Sequence, residues 1–266
     1  MDILATVDWD VVWQRIFHPD SAFARALWTT VYIAVAAQLL GVLLGLVAAL
    51  MRMSKLWPLR ALSGVYVLVL RGTPVLVQIF FVYFGANLLF GFTLIPTTLD
   101  LGLFELSGAA FAGILALGIN EGAYMREIIR SGIDAIDPGQ MEAARSLGMT
   151  HRLAMRRIIL PQAARVIVPP LGNEFNNMLK TTSLLFVIGV HELFGDADIY
   201  YSTTFKAVEV FAAVAFWYLV LTTVWTLIQA QIERKLAVSE RGDEPSFRER
   251  FVAAWQPVGA WARGAR

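Results

Sequence analysis

The stretch ALWTTVYIAVAAQLLGVLLGLVAALM, Ala26 to Met51, runs 26 residues without one Asp, Glu, Lys or Arg. At a rise of about 1.5 Å per residue, a helix of that length more than covers a hydrocarbon core about 30 Å thick. Arg25 and Arg52 bound it, so the expected span covers residues 27–51. The rest of the chain is of the same kind. Of its 266 residues 57% are hydrophobic and 16% charged, and the mean hydropathy is +0.60. A soluble domain carries about 25% charged residues, so this is the composition of a membrane protein.

Working outward, Ala61 to Leu99 holds a single charge, Arg71. That segment overshoots one straight span and falls short of two with a turn. Pro74 suits a helix start, so Arg71-Gly72-Thr73-Pro74 is expected to separate an interfacial lead-in from a span over 74–90. The apolar run from Ser107 continues into NEGAYMREIIRSG, giving a span over 107–128 with Glu121 inside or near its inner half. Residues 166–190 contain Pro169, Pro170, Glu174 and Lys180. A lipid-facing helix would hardly accept these, so the polar side of this fourth span must face protein or water. Val210 to Ile232 is free of charge and places the fifth span over 209–232. The expected fold class is therefore all-α, a polytopic membrane protein with five transmembrane helices. Residues 1–25 form an external or interfacial segment, 26–235 the membrane domain, and 236–266 a cytoplasmic tail that includes Trp255 and Trp261.

Lys and Arg in short loops mark the cytoplasmic side. Arg52, Lys55, Arg60, Arg126, Arg130, Arg145, Arg152, Arg156, Arg157, Arg165, Arg234 and Lys235 fall on one side. The other side holds Lys206 among Glu192, Asp196 and Asp198. The N-terminus is thus expected outside and the C-terminus in the cytoplasm. Arg15 and Arg25 count against this, amid Asp2, Asp8, Asp10 and Asp20.

Several classes of function drop out. With no cysteine, thiol catalysis and thiolate metal sites are excluded. His18, His151 and His191 stand far apart and suggest no metal centre. A net charge of +1 without a basic patch gives no reason to expect a nucleic-acid partner. No GxxxxGK[ST] loop is present, so no nucleotide site, no catalytic residue and no cofactor is expected in this chain. The first twenty residues carry early acids and no basic start before an apolar run, unlike a cleaved signal peptide.

Between the third and fourth spans lies EAARSLGMTHRLAMRRIILP, Glu142 to Pro161, within a cytoplasmic loop over 137–161. Asp137 suits an N-cap, Pro138 the first helical position, and Gln140 stands where it can reach back to the cap. A short helix should end at Gly148, which enters the left-handed conformation at little cost. Thr150 can cap a second helix, and Pro161 is expected to break or kink the chain beyond it. Such a two-helix elbow fits a groove on another protein. Equally, its basic residues answer the positive-inside bias, and an amphipathic helix can rest on anionic lipid.

Glu142-Ala143-Ala144, Gly148, Ile158 and Leu160-Pro161 together resemble the EAA loop of the membrane subunits of bacterial ATP-binding-cassette importers. The flanking text RGTPVLVQIFFVYFG from Arg71, GAYMREIIRSGIDAIDPGQMEAARSLGM from Gly122 and LPQAARVIVPPLGNEFNNMLKTTSLLFVIGVHEL from Leu160 resembles the polar amino acid permeases of that class. The likeness extends from about Trp28 to Ile232. One slot departs: Thr181 follows Lys180 where relatives often carry an acid, so substrate preference does not carry over.

The resemblance implies a type I importer permease. It would work with a second permease subunit, identical or homologous, two ATPase subunits that bind ATP and Mg, and a periplasmic or lipid-anchored solute-binding protein. The loop would then be a coupling elbow in the inner membrane's cytoplasmic face, with Glu142, Ala143, Ala144, Arg145, Leu147 and Gly148 at the ATPase contact. Arg145 also reads as a plain topology charge.

For the substrate route, buried ionisable groups are the default candidates: Glu121, Glu174 and Lys180. Glu174 and Lys180 are six residues apart and cannot neutralise each other along one helix face. Asn173, Asn177 and Lys180 share a face at i, i+4 and i+7. Gln78 and Asn120 add weaker candidates. A carboxylate could hold a substrate ammonium and Lys180 a substrate carboxylate, or the same groups could serve a subunit interface or structural ion pairs. A self-sufficient secondary transporter would share buried charges and broken spans but should show an internal repeat. An opine or other small zwitterion would fit the same architecture.

Overall fold

The computed structural model describes residues 7–91, 94–100, 102 and 105–237. The tail with Trp255 and Trp261 lies outside the described residues. In chain order the helices are α1 (Trp9–Phe17), α2 (Ser21–Met53), α3 (Trp57–Gly72), α4 (Val75–Phe80) and α5 (Ala86–Phe90), followed by strands β1 (Thr98–Asp100) and β2 (Glu105–Ser107). Then come α6 (Gly108–Asp134), α7 (Pro138–Ser146), α8 (His151–Ala154), α9 (Leu160–Thr181), α10 (Leu193–Thr204) and α11 (Ala207–Ala237).

α2 starts where the Asp20 carboxylate accepts a hydrogen bond from the Phe23 amide at 2.8 Å. Its 33 residues make it about 50 Å long, longer than the expected span. It packs along α6, and glycines on both helices bring the backbones together. A Cβ on Gly41 would sit 2.5 Å from Glu121 Cγ, and one on Gly118 would sit 2.7 Å from Leu40 Cδ2. The main core gathers Ile33, Ala37, Ile79, Leu117, Met178 and Leu185 from α2, α4, α6, α9 and the 3-10 turn Thr182–Ile188. A second cluster, Phe23, Leu193, Ala197, Val210 and Val214, joins α2, α10 and α11.

Only Ser21–Met53 and Ala207–Leu236 are, among the described residues, long and apolar enough to cross a membrane alone. Two bent pairs raise the number to four: Trp57–Gly72 with Val75–Gly85 at 107°, and His151–Ile188 with Leu193–Thr204 at 45°. α6 is 27 residues long, about 40 Å, with Asn120, Glu121 and Arg126 within it.

The structure corrects several expectations. α3 is tied to the bundle by two hydrogen bonds: the Tyr66 hydroxyl donates to the Ile119 carbonyl at 2.6 Å, midway along α6, and Ser63 Oγ donates to the Ala48 carbonyl at 2.7 Å. The break itself falls at Thr73, where Pro74 withholds a donor and keeps the residue before it extended. The segment between α5 and α6 adds a short antiparallel pair with Leu99 opposite Leu106, so the chain is mostly helical rather than all-α. The segment after residue 190 contains α10, capped by Glu192.

Pro161 does not break the chain. The π turn Met155–Ile159 precedes it, with the Leu160 amide bonding back to the Met155 carbonyl. This wider turn shifts the hydrogen-bond pattern just where proline lacks a donor, and the helix continues into α9. Finally, α1 is docked on the bundle. Lys206 Nζ lies 2.7 Å from Asp8 Oδ2, Arg15 is 3.4 Å from Asp196, and Trp217 Nε1 donates to the Arg15 carbonyl at 3.2 Å. Arg15, which counted against the orientation, is therefore neutralised within the fold.

Candidate functional site

Two places gather the residues singled out by sequence. The first is the loop between α6 and α9. Asp137 caps α7 by accepting the Gly139 amide at 2.7 Å. Gln140 does not reach back to that cap; its side-chain Oε1 instead accepts from Gln162 Nε2 at 3.5 Å, tying α7 to the start of α9. α7 ends with Gly148 at φ 78°. The Gly148 amide bonds to the Arg145 carbonyl at 2.9 Å and the Met149 amide to the Ala144 carbonyl at 3.0 Å. This pair of bonds satisfies the last carbonyls of α7 and fixes a sharp bend. Thr150 then caps α8 by accepting the Leu153 amide at 3.4 Å.

The faces of this bend are sorted. Ala144, Ala154 and Ile159 are buried within it, while Glu142, Ala143, Arg145, Leu147 and Gly148 are exposed. Ala144 thus serves the elbow's own packing and is not at its outer surface. Leu147 is 82% exposed, an apolar side chain held out at the hinge by the bend.

The second place is the polar core of the membrane domain. Gln38 Nε2 donates to Glu121 Oε1 at 3.1 Å, and both residues are buried. Glu174, half-buried on α9, lies within electrostatic range of Glu121. Asn120 Nδ2 donates to Gln78 Oε1 at 3.0 Å and to the Leu70 carbonyl at 3.1 Å. Gln78 Nε2 in turn donates to the Leu70 carbonyl at 2.8 Å and to Thr73 Oγ1 at 2.9 Å. The Gln78–Asn120 pair therefore pins the α3–α4 break against the middle of α6, next to Glu121.

Asn173, Asn177 and Lys180 are exposed along one face of α9. Asn173 Oδ1 accepts from Gln229 Nε2 of α11 at 3.2 Å. Glu174 and Lys180 form no ion pair, as their spacing requires. Lys180 and Ser183 border a cavity of about 370 Å³, walled by Phe194, Phe211 and Tyr218 from α10 and α11. Thus Asn120 and Gln78 come together next to Glu121, whereas Lys180 sits apart beside its own cavity.

Sequence reasoning missed Glu192. It is fully buried, and its carboxylate accepts from Gly195 N at 2.8 Å, Tyr218 Oη at 2.7 Å and Thr30 Oγ1 at 3.4 Å. It links α2, α10 and α11 beside the Lys180 cavity. An acid just before an apolar stretch was the available signal, but Glu is an unusual cap.

Residues 41–238 match the family model described as binding-protein-dependent transport system inner membrane component. The arginine transport system permease protein ArgU of Corynebacterium glutamicum is 40% identical over 92% of this chain and 76% of its own length. The glutamine transport system permease protein GlnP of Escherichia coli K12 is 33% identical over 87% of this chain and 98% of its own. A crystal structure of an amino acid ABC transporter with histidines superposes with a TM-score of 0.74 at 42% identity, covering 86% of this chain and 99% of the other. The MetNI methionine ABC transporter in an inward-facing form shares the fold at a TM-score of 0.64 and 16% identity, covering 80% of this chain and 95% of that one. The protein is a multi-pass inner-membrane permease: it belongs to the family of binding-protein-dependent transport system inner membrane components.

Proposed function

We propose that this chain is the membrane-spanning subunit of an ATP-driven importer of polar amino acids. It crosses the membrane five times, with α6 as the span that apolarity alone does not mark. Residues 1–25 lie outside and 236–266 in the cytoplasm. It pairs with a second copy or a homologous permease, receives substrate from a periplasmic or lipid-anchored binding protein, and is driven by two ATPase subunits that hold ATP and Mg.

The observation that carries the reading is the outward face of the α7–α8 bend. Glu142, Ala143, Arg145, Leu147 and Gly148 are exposed there on a doubly capped, sharply fixed turn. That is the form of a helix offered to a groove. Because α8 runs through the π turn into α9 without a break, a push on the elbow is transmitted directly to the span that carries Glu174 and Lys180. For the pathway, Glu121 and Glu174 would hold a substrate ammonium, and Lys180 a carboxylate. Asn173, Asn177 and Gln78 would line the route between.

A second cargo has one observation in its favour. The nopaline transport system permease protein NocQ of Agrobacterium fabrum is 41% identical over 64% of this chain, so an opine suits the same architecture.

The test is uptake of radiolabelled amino acids, and of nopaline, into proteoliposomes holding this chain with its ATPase and binding protein. ATP-dependent uptake of one of them is expected. Uptake by this chain alone, driven by an ion gradient without ATP, would overturn the reading.

A further inference from the structure

α1 presents two very different sides. One side is clamped to α10 and α11 by the Asp8–Lys206 and Arg15–Asp196 pairs, by the Asp8 amide donating to Glu209 at 3.0 Å, and by buried Val12. The Arg15 guanidinium also lies 3.9 Å from the Tyr200 ring centroid. This clamp fixes the helix's rotation. On the open side, Trp9 (47% exposed), Trp13 (54%) and Phe17 (62%) follow one another at four-residue spacing, and Trp13 stacks on Phe17 at 5.5 Å. Beside them runs a polar stripe, Asp10, Gln14 and His18, also exposed.

The helix cannot stand far from the bilayer. Only residues 18–20 separate it from α2, a reach of about 10 Å. α2 itself exposes Trp28 (66%) two turns in, at the head of the exposed apolar run Val35, Leu39, Leu43 and Leu46. α1 packs on the first half of α11, through Glu209 and Trp217. Towards its other end α11 meets the first half of α9, the helix that continues from the elbow: Gln229 Nε2 donates to the Pro169 carbonyl at 3.1 Å.

We propose that the Trp9–Trp13–Phe17 face of α1 is a lipid-binding surface, seated in the headgroup–acyl boundary of the leaflet opposite the elbow. Amphipathic tryptophan and phenylalanine belong at that depth, where the ring is dehydrated and the indole N–H keeps a polar partner. The chain leads from this surface through three residues into α2, whose exposed apolar residues begin at Trp28, and the neighbouring Asp10–Gln14–His18 stripe faces water. The clamp and the aromatic face together hold the outer ends of α10 and α11 at a set depth.

The absence of cysteine makes the test direct. Trp13→Cys and Gln14→Cys are made singly in the full chain, spin-labelled, and reconstituted with the ATPase in nanodiscs of mixed anionic and zwitterionic lipid. Collision with oxygen reports lipid; collision with a nickel chelate reports water. The expected result is an oxygen-to-nickel ratio severalfold higher at position 13 than at 14. Trp9→Cys serves as a second site on the same face and should match position 13. A water-like signature at positions 9 and 13 overturns the proposal. So does protection of both from both reagents, which would mean that protein, such as the binding protein or a second copy, covers the face.

Discussion

Reversing the charge at Glu142 tests the proposed contact between the elbow and an ATPase partner. The side chain is exposed on α7 and has no ion pair among the described residues. The caps that define the bend, Asp137 and Gly148, are untouched by Glu142→Arg. Glu and Arg have near-equal helix propensity, so the fold itself should lose at most a few tenths of a kcal/mol from the Arg145 neighbour at i+3. At the partner, removing one member of a buried charge-assisted pair costs about 2–5 kcal/mol. With about 1.4 kcal/mol per decade, this is roughly a 30- to 4,000-fold weaker ATPase association per elbow. The assay is binding of labelled ATPase to the permease in nanodiscs, with hydrogen exchange of α7 as the control for an intact bend. Affinity within a factor of about three of the wild type, with the bend intact, would refute the reasoning.

Gly45→Leu should destabilise the membrane domain by about 1–3 kcal/mol, because its side chain would enter Met125 on α6; Gly64→Leu, with nothing within 4 Å of its Cβ position, should leave the detergent melting temperature unchanged. Lys180→Met should raise the apparent KM for uptake about 10- to 150-fold, the worth of a lost charged hydrogen bond of roughly 1.5–3 kcal/mol, while basal ATP hydrolysis stays unchanged. The Asp8–Lys206 clamp sets a pH window for α1. The Lys206 ammonium holds the Asp8 carboxyl below its ordinary 3.8, and Asp8 holds the lysine above its ordinary 10.5. The aspartate's contribution is full above 3.8 and lost as pH falls through its lowered value. The lysine's is full below 10.5 and lost as pH rises through its raised one. Hydrogen exchange of α1, corrected for intrinsic rate, should therefore be flat between pH 5 and 9; a step inside that range contradicts the assignment.

What the sequence made legible was what a local pattern determines. The charge-free runs under α2 and α11 announce themselves because a charge at the bilayer centre is costly. Asp137, Gly148 and Thr150 gave the ends of α7 and α8, since capping is a matter of one residue and its neighbours. The features that escaped depend on distant partners. Whether Pro161 kinks the chain turns on a π turn set by Met155–Ile159. How α3 packs turns on Tyr66 and Ser63 finding carbonyls on α6 and α2. Arg15 looked like a topology charge because Asp196 is 181 residues away. Glu192 looked like one more external acid because Thr30 and Tyr218 come from two other helices. In the polar core, Glu121, Glu174 and Gln78 were visible as charges and amides in grease. That Gln78 and Asn120 pair while Lys180 stands off by a separate cavity needed the packing of α4 on α6 and of α10 on α11.

The central claim is that a nucleotide-driven partner grips the hinge between α7 and α8. A photo-crosslinking residue in place of Leu147, the most outward apolar side chain at that hinge, tests it directly in native membranes. The account predicts a single dominant adduct with the ATPase subunit, whose yield changes when ATP is added. Adducts with phospholipid alone, unaffected by ATP, would contradict it.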